Sequence, residues 1–66
     1  MSRNHLHVLV KDPGQWTVSL GGQHVTTSKS QAEAYQQALA KAEKLGDAVI
    51  FVHDDEGELE FEETYP

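Results

Sequence analysis

Three histidines, His5, His7 and His53, are the residues in this chain best suited to chemistry. His5-Leu6-His7 puts two imidazoles at alternate positions, and so on one side of an extended strand. There they could ligate a divalent cation together with a third donor such as His53. A histidine pair near carboxylates also has the chemistry of a pH sensor. The second candidate is the run His53 to Glu63, HDDEGELEFEE. Its Asp-Asp-Glu-Gly-Glu core resembles a calcium loop in composition, but it lacks the twelve-residue spacing and closing bidentate glutamate of an EF-hand. It reads better as a hairpin turn, with aspartate at the start and glycine supplying positive φ. No nucleophile elbow, phosphate loop or carboxylate pair in an apolar setting occurs, so no catalytic residue, enzymatic activity or cofactor is expected.

These groups need a scaffold, and the chain has 66 residues and no cysteine from which to build one. A single domain spanning residues 1–66 is expected, close to the length at which a core alone is barely sufficient. Thiolate metal sites and disulfides are excluded. No apolar run is long enough for a membrane span or a signal peptide, which points to a cytoplasmic protein with no membrane partner. The net charge is −6. Basic and acidic side chains nearly balance up to His53, and the acidic excess lies in Asp54 to Glu63. Such a surface opposes direct nucleic-acid binding and favours a basic protein partner.

Period-two alternation over His5 to Lys11 predicts a half-buried strand with Leu6, Val8 and Val10 inward. Asp12-Pro13-Gly14 predicts a tight turn, after which Val10 pairs with Trp16, Val8 with Val18 and Leu6 with Leu20. A one-residue slip would separate these two apolar faces. Gly21-Gly22 allows another turn, and Gln23 to Thr27 is a fifth strand candidate.

Ser30 and Glu33 have capping-box spacing, the glutamate being expected to reach back to the Ser30 amide. A helix over about 31–45 follows, with an apolar stripe of Tyr35, Ala38, Leu39, Ala42 and Leu45, and Gly46 as its stop. Ala48 to His53 and Glu58 to Glu62 predict a closing hairpin, in which Asp54 to Gly57 pairs Val52 with Leu59 and Ile50 with Phe61. The expected fold is α+β: an antiparallel sheet of four strands, five with Gln23 to Thr27, in chain order β-β-(β)-α-β-β and covered on one face by one helix. Its predicted core is Leu6, Val8, Val10, Trp16, Val18, Leu20, Tyr35, Ala38, Leu39, Ala42, Ile50, Val52, Leu59 and Phe61.

The other sheet face must then meet water or a partner. It is expected to carry His5, His7, Leu9, Lys11, Thr17, Ser19, Val49, Phe51, His53, Glu58, Glu60 and Glu62. Leu9, Val49 and Phe51 form an apolar patch there, suited to self-association as a homodimer. Glu58, Glu60 and Glu62 recur roughly 7 Å apart along a strand, which also suits an acidic mimic of nucleic acid bound by a basic protein. The expected reading is a non-enzymatic interaction module, with mimicry and a His5, His7, His53 metal site as alternatives.

The order of H-x-V, Trp16-Thr17-Val18 after a Pro-Gly turn, Gly-Gly, SKSQAEAYQQALAKAE and VIFVHDDEGELEFEETY resembles the small bacterial family called domain of unknown function 2188. The resemblance covers nearly the whole chain and includes the closing Thr64-Tyr65. It implies a bacterial origin and a shared fold, and no activity.

Overall fold

The computed structural model describes residues 3–65. Five strands and one helix follow in the order β1 (Asn4–Asp12), β2 (Gln15–Leu20), β3 (Gln23–Ser28), α1 (Gln31–Leu45), β4 (Ala48–His53) and β5 (Leu59–Tyr65). They form one mixed sheet, β3-β2-β1-β4-β5, with the helix against one face.

The first hairpin has the expected register: Leu6 faces Leu20, Val8 faces Val18 and Val10 faces Trp16. At its tip Asp12 pairs with Gln15, whereas continuing the predicted register from Val10 and Trp16 would pair Lys11 with Gln15, and the register shifts between Val10 and Asp12. Gly14 lies at φ 76°, the left-handed conformation that such a turn needs and that side chains resist. The weak run at Gln23 is a true strand, paired with β2.

The helix has the predicted span and cap. Ser30 Oγ accepts from the Glu33 amide at 3.1 Å, and Gly46 ends the helix at φ 81° while its N–H donates to the Ala42 carbonyl. Glu33 departs from the expected box, accepting from the Lys29 amide at 3.2 Å and not from that of Ser30. Ala34, Ala38 and Ala42 are fully buried. Tyr35, Leu39 and Leu45 flank them, partly buried against the core. With alanine along the contact line, the helix backbone can approach the sheet closely. The helix packs on β1, β2, β3 and β4.

Two corrections to the expected sheet matter for function. First, it is not wholly antiparallel, because β4 pairs with β1 in parallel, Leu6 opposite Ile50 and Val8 opposite Val52. Two hairpins leave β3 parallel to β1, and the helix then carries the chain back before β4 begins, which is how parallel neighbours are joined. Thus β1 lies at the centre, while β3 and β5 are the edges.

Second, β5 is displaced by two residues from the expected register. Val52 faces Phe61, Ile50 faces Glu63 and His53 faces Leu59, with an irregularity between Val52 and His53. The extra residue, Glu60, makes the bulge that allows Leu59 and Phe61 to occupy opposite faces. Neither belongs to the core as predicted: Leu59 is 52% exposed and Phe61 41% exposed. Phe61 remains on the helix side, edge-on to Tyr35 with ring centroids 5.6 Å apart. The enclosed core is therefore Leu6, Val8, Trp16, Val18, Ala34, Ala38, Ala42, Ala48, Ile50 and Val52.

Candidate functional site

The face away from the helix is built from the odd positions of β1 and β4, which alternation sends opposite to Leu6, Val8, Ile50 and Val52. Because β4 lies parallel beside β1, His5 is paired with Val49 and His7 with Phe51. This pairing assembles a cluster that spacing along the chain does not reveal. Phe51 is its centre. His7 stacks on the Phe51 ring at 4.9 Å and 19°, and His5 meets the ring edge-on at 5.5 Å and 78°.

His53, two residues beyond Phe51, completes the cluster. Its ring lies 5.4 Å from that of His7, and His7 Nδ1 faces His53 Nε2 at 3.2 Å. On the other side, His53 Nδ1 meets the Gly57 carbonyl at 3.3 Å. A carbonyl only accepts, so this nitrogen carries the proton and Nε2 presents a lone pair toward His7. His7 Nδ1–H then donates to it. The turn holding Gly57 is fixed by Asp54, whose carboxylate accepts from the amides of Glu56 and Glu58, both at 2.9 Å.

The carboxylates of Asp54, Glu56 and Glu58 come within 4.8 Å of one another. The Asp54 Oδ1 atom is engaged by the turn, which accounts for this clustering without a ligand. The expected three-histidine set is not gathered. His7 and His53 meet, whereas His5 contacts Phe51 and is outside any group of three ligands among the described residues.

The expected glutamate row is broken. Glu62 faces Phe51 across the β4–β5 pair and so shares the open face. Glu58 precedes β5 in the turn. Glu60 takes a hydrogen bond from Gln31 Nε2 at 2.9 Å, which draws it to the helix side, and the same Gln31 nitrogen donates to the His53 carbonyl at 3.0 Å. Leu59, predicted in the core, is paired with His53 and joins Leu9, Val49 and Phe51 on the open face. No residue type in the run signals this bulge.

A groove of about 510 Å³ lies at the tip of the first hairpin, lined by Val10, Pro13, Trp16 and Asp55 among others. Its charged lining is Lys11, Asp12 and Asp55. Among the described residues, no helix is long and apolar enough to cross a membrane.

His7 has its pKa pushed below the ordinary 6.5, first by partial burial and then by the charges that His53 and His5 would carry. All three disfavour imidazolium. A folded pKa below the unfolded value gives stability that is full above pH 6.5 and is lost as pH falls through the folded pKa. Urea unfolding in the presence of a chelator is therefore expected to show a weakening step below pH 6.5 that His7→Gln reduces. An unchanged pH profile in His7→Gln would remove His7 from this role.

No curated protein and no solved structure matches the chain. Residues 6–65 match the family described as "Uncharacterized protein conserved in bacteria (DUF2188)". The match spans most of β1, all of β2 to β5 and the helix, with His7, Phe51 and His53 of the cluster, and on that coverage the chain belongs to this bacterial family.

Proposed function

We propose that this protein is a non-enzymatic interaction module whose uncovered sheet face pairs with a second copy of the chain. The observation that carries the reading is the set of apolar side chains, half-buried Leu9, Val49 and Phe51 and exposed Leu59, that share the face opposite α1 with the histidines. Charge supports a second copy as the occupant. With a net charge of −6, two copies repel in general. The open positions of β1, β2 and β4, however, are His5, His7, Leu9, Lys11, Thr17, Ser19, Val49, Phe51 and His53, and none is a carboxylate. Of the closing hairpin's carboxylates, Glu62 adjoins Phe51 on this face from the edge strand. A two-fold interface would bring the same face from each copy together, with Glu62 at its rim able to meet the partner's histidines or Lys11.

The basic-protein alternative loses its regular row of carboxylates because Glu60 turns to Gln31. It is not favoured here.

Light scattering across a concentration series tests the pairing. The native chain is expected to reach the mass of a dimer and Phe51→Glu to remain monomeric, whereas Phe61→Glu, on the helix side, should pair like the native chain. Circular dichroism confirms that each variant is folded. A native chain that stays monomeric at millimolar concentration would overturn the proposal.

A further inference from the structure

We propose that His7 Nδ1 and His53 Nε2 form a two-nitrogen site for a divalent late transition metal of the zinc, nickel and copper group. The nitrogens are 3.2 Å apart. Two imidazoles on one tetrahedral zinc, each bonded at about 2.0–2.1 Å, place their nitrogens about 3.3–3.4 Å apart. In separation the two nitrogens are within a few tenths of an ångström of that value, and both rings must turn for their lone pairs to meet at an ion instead of at each other.

Both rings are already held. Ligating histidines characteristically donate their second ring N–H to a carbonyl or carboxylate, which sets the tautomer. His53 makes that bond, from Nδ1 to the Gly57 carbonyl at 3.3 Å. His7 is held by its stack on Phe51, with ring centroids 4.9 Å apart. Rings fixed before binding lose little freedom on taking up an ion.

The proton inventory is simple. Without metal, His53 offers a lone pair at Nε2 and His7 fills the gap with its Nδ1 proton. On binding, that proton moves to His7 Nε2, and two neutral imidazoles face the ion with no net proton released. Imidazole is a ligand common to zinc, nickel and copper, and water fills the remaining positions. Both ligands come from one chain, although they lie on the face proposed to pair with a second copy. It differs from the expected histidine triad in excluding His5.

Zinc chloride titrated into the metal-free full chain, followed through imidazole ¹⁵N signals, tests the site. The His7 and His53 signals are expected to move together and saturate at one zinc per chain. His7 should change from the Nδ1–H to the Nε2–H tautomer, while His53 retains Nδ1–H and His24 stays still. On one rigid scaffold the second bond is intramolecular, so His7→Gln or His53→Gln is expected to weaken binding about tenfold or more. His5→Gln should leave affinity unchanged. Equal movement of His24, an unchanged His7 tautomer, or an equal loss in His5→Gln would each overturn the assignment. The tautomer change is read on the native chain and stands even if a variant fails to fold.

Discussion

Ile50→Ala is expected to lower the unfolding free energy by about 2–5 kcal/mol, the usual range for emptying a buried aliphatic site to alanine. Ile50 has no exposure and is among the largest fully enclosed side chains. It is paired with Leu6 on the central strand, which is equally buried. The cavity would close poorly, because the fully buried helix residues, Ala34, Ala38 and Ala42, have no longer side chains with which to fill it. A domain of 66 residues has a total stability of roughly 3–10 kcal/mol at the usual 0.05–0.15 kcal/mol per residue. The loss is therefore a large part of the whole. Urea unfolding measures it. A loss below about 1 kcal/mol would mean that Ile50 is not enclosed between helix and sheet.

Ala38→Leu tests the same contact from the opposite side. Ala38 sits midway along the buried line of the helix and has no exposure. Leucine is nearly as good a helix former as alanine, so any loss reports packing and not propensity. Extra carbons there must push the helix off the sheet or force poor rotamers, at a cost of about 1–3 kcal/mol. Ala40 lies two residues away and is exposed. Ala40→Leu is expected to stay within about 0.5 kcal/mol of the native chain, as surface changes usually do. Similar midpoints for the two variants in urea would refute the close helix contact.

The parts of the fold that were legible are those specified by neighbours in sequence. Alternation on both sides of Asp12-Pro13-Gly14 pairs Val8 with Val18 and Leu6 with Leu20, because only that register superposes the apolar faces. Ser30 and Gly46 mark the helix ends through bonds to residues three and four positions away. The outward direction of His5, His7, Phe51 and His53 likewise follows from period two.

The closing hairpin was harder to read, for a physical reason. Glu58, Glu60 and Glu62 alternate with Leu59 and Phe61, so the pattern favours a regular strand. The bulge at Glu60 depends instead on where the Asp54 turn ends and on the hydrogen bond from Gln31, which belongs to the helix. A contact across 29 residues leaves no local trace. It places Leu59 on the open face and Phe61 beyond the enclosed core.

The sequence by itself determined the α+β class, the first hairpin register, the helix and its caps, and which face of each central strand meets water, since all of these follow from periodicity and short-range bonds. Only the tertiary structure decided that β4 lies parallel beside β1, because strand adjacency depends on where the helix returns the chain. That one adjacency lays His7 against Phe51 and brings its Nδ1 to His53, residues 46 positions apart, making a cluster from histidines that were merely present.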